Sequence, residues 1–239
     1  MRILLTVLAR AGSEGIPGKC TKMFHGKPLY LHTVEQAKAW GCGKISISTD
    51  CQEILDSGPL YASIIKRPSL LCQNHTPKLD AIRHTVKIME LRHDEEYNIV
   101  IDLDITNPLR SPLDIEQAYR LFVARKNPVL FSVTRARRNP YFNQVRAYRD
   151  FISTPAGDEQ STVYRRQDAP DVYDLNCSIY IYDRDWLMFR ENLTPIIPNA
   201  TLYLMKDWQA FDLDTPVDWE IVKMLYSKYM KGKKDVENS

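Results

Sequence analysis

The sequence predicts an α/β protein with a doubly wound, mostly parallel sheet, and two observations carry that prediction. Strand-like apolar runs alternate with helical patterns over the first 134 residues, an order typical of a parallel sheet with helices on both faces. The first of these runs leads directly into a loop that holds Gly12, Gly15 and Gly18, three of the nine glycines in the chain. Because ligands bind at the carboxyl ends of the strands in such sheets, this loop is the first candidate for a binding site.

The individual elements follow from the period of the apolar residues. Residues 2–8 form a strand-like, mostly apolar run. Pro28 opens a helical pattern that ends at Gly41, as expected of Pro and Gly at helix boundaries. Further strands are predicted at residues 44–48, 62–66, 97–103 and 129–134, separated by helices at residues 51–56, 79–92 and 115–122. Strand patterns return at residues 178–182 and 201–205.

The last helix has a clear start signal. Pro216 stands at its first position, and Thr215 and Asp218 have the spacing of a capping box. We therefore assign Asp218 to the helix start rather than to catalysis.

Residues 135–175 differ from the rest of the chain in composition. They contain seven arginines, several aromatic residues and turn signals at residues 139–140 and 154–157, without a helical period. We interpret this segment as an extended hairpin or arm that leaves the sheet. The chain is accordingly predicted to form a single domain over residues 1–226, and residues 227–239 are predicted to be a charged, fraying tail.

Composition excludes several classes of protein. The chain has 32 Lys and Arg against 30 Asp and Glu, a net charge of +2, whereas nucleic-acid and membrane-surface binders carry a concentrated basic excess. No apolar run approaches the roughly 20 residues of a membrane span, and the opening apolar run is too short for a secretory signal. The five cysteines form neither an even-numbered disulfide framework nor a C-x-x-C pair. We expect a cytoplasmic protein that binds neither nucleic acid nor membrane.

The glycine-rich loop has the composition of an anion site. Backbone amides between a strand and a helix can converge on an anion, although a tight structural turn is the alternative. Four cations accompany the loop: Arg10, Lys19, Lys22 and Lys27. Spacing excludes two familiar motifs, because five residues separate Gly12 from Gly18 where a Walker A loop has four, and G-x-x-G-x-x-G is not the dinucleotide-binding fingerprint.

Two pairs of aspartates follow the same i, i+2 spacing. If residues 211–214 are extended at a strand end, Asp212 and Asp214 project to one face with Cα atoms roughly 6.5 Å apart. A divalent cation such as Mg²⁺ would offset their repulsion, and ordinary loop structure is the alternative. Asp102 and Asp104 form the second pair, at the end of an interior strand. The five histidines are scattered without ligand spacing and are assigned structural roles.

These features belong to a longer series of motifs. Residues 8–19 read LARAGSEGIPGK and residues 26–29 read GKPL, which closely resembles the opening of the CMP-sialic acid synthetases (acylneuraminate cytidylyltransferases). Further motifs occur in the family's order: Ser48-Thr49-Asp50, Lys66-Arg67-Pro68, Thr106-Asn107-Pro108-Leu109-Arg110, Arg165-Arg166-Gln167-Asp168, Asn176-Cys177-Ser178-Ile179-Tyr180 and Asp212-Leu213-Asp214. The resemblance covers nearly the whole chain.

The resemblance implies a Rossmann-like nucleotidyltransferase fold and transfer of CMP from CTP to the anomeric hydroxyl of a nine-carbon 2-keto acid sugar, with release of pyrophosphate. It implies catalytic roles for Arg10, Lys19 and Asp212. The implied nucleotide-binding residues are Leu8, Ala9, Arg10, Gly12, Ser13, Lys19 and Arg67. The implied sugar-binding residues are Asp104, Arg166, Gln167 and Asn176. Asp212 and Asp214 match the family's Mg²⁺ ligands, and residues 135–175 match its dimerisation arm, which implies a homodimer.

Four positions depart from the family pattern. Glu14 stands where Lys is usual, Cys20 replaces Asn, Asp104 replaces Gln, and Cys177 replaces Gly. These changes leave open whether the sugar is sialic acid or a relative such as legionaminic or pseudaminic acid. The alternatives are a sugar nucleotidyltransferase with another acceptor or NTP, or a non-catalytic nucleotide- or sugar-binding protein.

Overall fold

A computed structural model describes residues 1–141, 143–148, 151–155, 165–189 and 194–231. Eleven strands are found in these ranges: β1 Ile3–Ala9, β2 Met23–Phe24, β3 Lys27–Pro28, β4 Lys44–Thr49, β5 Ser63–Lys66, β6 Ile99–Leu103, β7 Val129–Arg135, β8 Val145–Tyr148, β9 Phe151–Pro155, β10 Tyr173–Asp183 and β11 Thr201–Leu204. Six α-helices lie between them: α1 Leu29–Trp40, α2 Gln52–Ser57, α3 Lys78–His93, α4 Pro112–Arg125, α5 Arg184–Phe189 and α6 Pro216–Tyr226.

Seven of the strands form the central sheet, in the order β11-β7-β10-β6-β1-β4-β5. All neighbouring pairs are parallel except those of β10, which is antiparallel to both β6 and β7. The predicted mostly parallel, doubly wound sheet is therefore confirmed. The carboxyl ends of β1, β4, β5 and β6 meet at one edge, and this edge carries the loops that matter below.

Separate apolar clusters cover the two faces of the sheet. One cluster contains residues of α1 and α4, such as Val34 and Ile115, and the other contains residues of α3 and α5, such as Val86 and Leu187. A third cluster of seven buried residues, here called the loop core, lies apart from both: Ile16, Phe24, Leu29, Leu109, Leu213, Trp219 and Val222. The loop core joins the glycine-rich loop to α6, so the C-terminal helix helps to position the N-terminal loop.

The helix boundaries follow the predicted signals. Gly41 ends α1 with φ 80°, a left-handed conformation that Gly adopts readily. At the start of α6, Thr215 Oγ1 accepts from the Asp218 amide and Asp218 Oδ2 accepts from the Thr215 amide. The capping role predicted for Asp218 is confirmed.

The second half of the chain departs from the sequence prediction in detail. Residues 173–175, predicted as the end of the arm, belong to β10, which begins five residues before the predicted strand at 178. The pairing register of β10 with β7 shifts between Leu175 and Tyr180. The predicted hairpin is present as the separate two-stranded sheet of β8 and β9, while residues 142, 149–150 and 156–164 of the predicted arm lie outside the described residues. A π-helical turn, Ser227–Lys231, continues α6 into the predicted tail, of which residues 232–239 lie outside the description.

None of the helices in the described ranges has the length and apolar composition needed to cross a bilayer.

Candidate active site

A cavity of about 340 Å³ opens where the carboxyl ends of β1, β5 and β6 meet. The glycine-rich loop, the connection from β5 to α3 and the residues after β6 form its walls. Seven predicted site residues line it: Leu8, Arg10, Ser13, Lys19, Arg67, Asp104 and Asp214. The ionisable lining includes the cations of Arg10, Lys19, Arg67 and Lys78 against two aspartates. This charge balance suits an anionic ligand such as a polyphosphate.

The glycine-rich loop is a tight turn with an apolar anchor. The amide of Lys19 donates to the carbonyl of Ile16, and Gly18 has φ 61°, in the left-handed region that favours glycine. Ile16 is only 1% exposed and packs with Leu213 in the loop core. Burial of this single apolar side chain holds an otherwise polar loop against the protein.

Gly15 brings this loop into direct contact with the acidic segment of the C-terminal half. A Cβ atom at Gly15 would lie 1.8 Å from the carbonyl oxygen of Asp214, so only glycine permits this approach. Lys19 Nζ donates to the carbonyl of Leu213 at 2.5 Å and lies 3.5 Å from Asp214 Oδ1. Two segments that are 194 positions apart in sequence therefore form one surface.

Residues 211–214 are not at a strand end, so the condition for both carboxylates to project to one face is not met; Asp212 lies in an irregular stretch, and Leu213 and Asp214 lie in a bend. This bend lies between the 3₁₀ turn Asp207–Gln209 and α6. Leu213 is fully buried, and its amide donates to the carbonyl of Thr106 at 2.9 Å. The alternation of acidic and apolar residues over 212–214 thus reflects one buried leucine between two more accessible aspartates. Burial of Leu213 also fixes the positions of both neighbouring aspartates.

The acidic pair has the chemistry of a magnesium site. Burial, followed by the charge of Asp214, raises the pKa of Asp212 to about 6, which shows that its ionised form lacks full compensation in the protein alone. Mg²⁺ binds such hard oxygen donors, takes one or two carboxylates and completes its shell with water and substrate phosphates. The described residues hold no cluster of three or more candidate ligands. A pair of carboxylates is within the number that Mg²⁺ takes from a protein, so the residues present fit this ion.

Glu14 is accommodated by a hydrogen-bonded chain across the cavity mouth. Arg10 donates to Asn74 Oδ1 at 2.7 Å, and Asn74 Nδ2 donates to Glu14 Oε1. The carboxylate that replaces the family's usual lysine is thus directed to a polar partner on the β5–α3 connection. The same chain tethers Arg10 to that connection.

Arg67 lines the cavity from a nearly buried position. It is 5% exposed, its Nε donates to Ser48 Oγ at 3.1 Å, and its Nη2 donates to the Ser48 carbonyl at 2.7 Å. Burial lowers its pKa. The motifs around residues 48–50 and 66–68 are thus one unit, in which the serine fixes the arginine.

Asp104 is joined to a partner that the sequence analysis did not identify. Lys78 Nζ lies 2.7 Å from Asp102 Oδ2 and 2.8 Å from Asp104 Oδ2. Sequence spacing does not predict this ion pair, because Lys78 at the start of α3 and Asp104 after β6 are 26 positions apart. The one available signal is a lysine at the first position of a helix, where the helix dipole disfavours a cation.

The remaining predicted site residues lie elsewhere. Asn176 is 1% exposed, and its side chain bonds to Ser132 Oγ, Met205 Sδ and the Gln209 carbonyl. Gln167 is exposed in the 3₁₀ turn Arg166–Asp168. The cavity wall within the described residues includes neither of them, and the Arg166 side chain lies outside the description.

Three further predicted site residues are not part of the cavity wall within the described residues: Ala9, Gly12 and Asp212.

The backbone conformation at Cys177 explains why the family pattern has glycine at this position. Its φ is 49°, in the left-handed region, within the stretch of β10 where the register shifts. A side chain there carries backbone strain that glycine would avoid.

A cation-lined loop at the carboxyl edge of a doubly wound sheet lies beside a carboxylate pair, and nucleotidyl transfer requires groups of both kinds. Comparison with known proteins identifies the class of protein. The family model for cytidylyltransferases matches residues 4–237. The chain is 36% identical to a CMP-N,N'-diacetyllegionaminic acid synthase of Campylobacter jejuni and 33% identical to the post-translational flagellin modification protein B of Campylobacter coli, each over 98% of both chains.

A solved structure of CMP:2-keto-3-deoxy-manno-octonic acid synthetase complexed with CTP has the same fold. It superposes with a TM-score of 0.66 at 19% identity and covers 95% of this chain and 99% of that one. The chain belongs to the cytidylyltransferase family, as the resemblance of its motifs implied.

Proposed function

We propose that the protein transfers CMP from CTP to the anomeric hydroxyl of a nonulosonic acid, a nine-carbon 2-keto acid sugar. The sugar oxygen bonds to the α-phosphorus of CTP, the bond from that phosphorus to the oxygen bridging toward the β-phosphorus breaks, and pyrophosphate leaves while the hydroxyl loses its proton. The contact of the glycine-rich loop and Lys19 with the Leu213–Asp214 backbone is the observation that carries this proposal.

The proposed chemistry depends on positioning and on charge. Lys19 and the loop amides face the negative charge of the triphosphate and of the departing pyrophosphate. Asp212 and Asp214 would hold Mg²⁺, which when bound supplies positive charge to the phosphate oxygens. Arg10, held by Asn74, and Arg67, held by Ser48, are set to contact the nucleotide. Each side chain is fixed by a neighbour before substrate arrives, which lowers the cost of ordering the site.

A panel assay tests the proposal. Pyrophosphate release is measured with Mg²⁺, each of the four NTPs, and sialic, legionaminic and pseudaminic acids beside an eight-carbon 2-keto acid sugar. We expect turnover with CTP and a nonulosonic acid, and the naming of the 36% identical relative makes the legionaminic-type acid the first candidate. Turnover with another NTP or acceptor alone would instead establish the alternative transferase, and ligand binding without turnover would establish a non-catalytic protein.

We also infer a homodimer formed through residues 135–175. The arginine-rich composition of this segment and its separate hairpin of β8 and β9 support the inference. Light scattering coupled to gel filtration tests it, since deletion of the hairpin should halve the measured mass. A cytoplasmic location is proposed on the ground that CTP is the donor.

A further inference from the structure

Three charged side chains, Lys78, Asp102 and Asp104, meet at the wall of the cavity, and the chemistry proposed above uses none of them. The Lys78 ammonium bridges the carboxylates of Asp102 and Asp104, with Nζ to Oδ2 distances of 2.7 and 2.8 Å. It also lies 4.6 Å from the ring centroid of Tyr180, a cation–π distance. The ammonium is thereby held from three directions.

Asp102 and Asp104 differ in burial and in which of their hydrogen-bond acceptor positions can be reached from the cavity. Asp102 is fully buried, and its Oδ1 accepts from Thr6 Oγ1 at 2.7 Å. Asp104 lines the cavity, and its Oδ1 accepts from the Thr106 amide and Oγ1, both at 3.1 Å. A carboxylate has about four acceptor positions. Two positions on Oδ1 and one on Oδ2 are occupied, so Asp104 retains one acceptor position, on Oδ2.

The lysine determines the charge state of this wall. Burial would raise the pKa of Asp104, but Lys78 and the hydrogen bonds from Thr106 outweigh it and hold the pKa below its ordinary value. Burial opposes the charge on Lys78, yet the two carboxylates raise its pKa well above normal. The three groups together carry one net negative charge, and Asp104 is the member that faces the cavity.

We propose that Lys78 is a positioning residue: by bridging Asp102 and Asp104 it preserves the charge of Asp104. Asp104, which Thr106 orients, then serves as a fixed acceptor for a hydroxyl or amide N–H of the acceptor sugar. The inference rests on the proposed function. It also predicts which chemical group of the sugar lies against Asp104. A sugar that presents a hydrogen-bond donor is bound, and the sugar carboxylate is repelled and must lie elsewhere in the site.

The test compares Lys78→Met with Lys87→Met, an exposed lysine on the same helix. Initial rates are measured with the sugar and CTP varied separately. Lys78→Met should raise the sugar KM by about ten- to a hundredfold, the worth of a charge-assisted hydrogen bond, and change the CTP KM by less than about twofold. Asp104→Asn should raise the sugar KM by a similar factor, and Lys78→Arg should stay within a few-fold of wild type. Lys87→Met should leave both constants unchanged.

A charge-balanced double variant separates positioning from direct contact. In Lys78→Met/Asp102→Asn the wall again carries one negative charge, on Asp104, so we expect the fold and most of the sugar affinity to return. If Lys78→Met alone does not fold, the double variant is used for the test instead. A sugar KM that stays raised in the folded double variant would show that Lys78 does not act through the charge of Asp104, and would overturn the assignment. An unchanged sugar KM in Lys78→Met would also overturn it. Absence of CTP-dependent turnover in the wild-type protein would overturn the proposed function and this assignment together.

Discussion

Gly15→Ala should lower the catalytic activity strongly while the protein remains folded. The alanine Cβ would lie 1.8 Å from the Asp214 carbonyl oxygen, a backbone atom, whereas real Cβ contacts essentially never fall below 3.0 Å. The two loops must separate by the difference, about 1.2 Å, which carries Asp214 away from Lys19. Misplacement of catalytic groups by about 1 Å can cost about 10²-fold in rate. We therefore expect kcat/KM to fall by about two orders of magnitude in a continuous pyrophosphate-release assay.

Gly12→Ala is the matched comparison. A Cβ at Gly12 would meet no heavy atom of the described residues within 4 Å, and alanine keeps the backbone amide, so we expect at most a few-fold loss. Circular dichroism and thermal melting verify that both variants are folded. If Gly15→Ala kept wild-type kcat/KM, or if Gly12→Ala lost as much, the close approach of the two loops would not be the basis of activity.

Three further predictions concern other parts of the site. Asp212→Asn should lower kcat by more than about 10²-fold without unfolding the protein, and should raise the Mg²⁺ concentration needed for half-maximal rate. The control is Asp218→Ala, which removes only a helix cap and should lower stability by about 1 kcal/mol while the rate is unchanged. Asn74→Ala should raise the CTP KM by about fivefold, because it releases Arg10 at the cost of roughly one hydrogen bond; an unchanged KM would show that Arg10 needs no tether. Arg110 is fully buried and donates to two carbonyls and Thr33 Oγ1, so Arg110→Met should lower the urea-derived free energy of unfolding by about 3 kcal/mol; a loss below about 1 kcal/mol would contradict that role.

Most of the sheet was predictable because its signal is local. The runs that became β1 and β6 are mostly apolar, and those that became β4 and β7 mix apolar residues with serine and threonine. Nearly every residue of the four strands is buried, as expected of interior strands covered on both faces. The caps at Gly41 and Thr215 use standard residue chemistry. The antiparallel direction of β10 had no such signal, because strand direction depends on the path of the preceding connection and not on the strand's own residues.

The sequence predicted which residues belong to the site, but not which of them contact each other. The motifs located Lys19 and Asp214, but the sequence does not indicate that Gly15 touches the Asp214 carbonyl or that Leu213, by its burial, creates the apparent strand period. The Lys78 bridge was missed for the same reason, since it forms only when α3 packs beside β6. Such contacts depend on tertiary packing, which overrides local pattern.

A crystal structure with CTP and Mg²⁺ tests the central claim most directly, namely that the loop of Gly12–Lys19 and the acidic pair form one triphosphate site. The account predicts phosphate oxygens in contact with Lys19 Nζ and the loop amides, and a cation bound by Asp212 and Asp214. A triphosphate bound away from this loop, or a cation held by other residues, would contradict it.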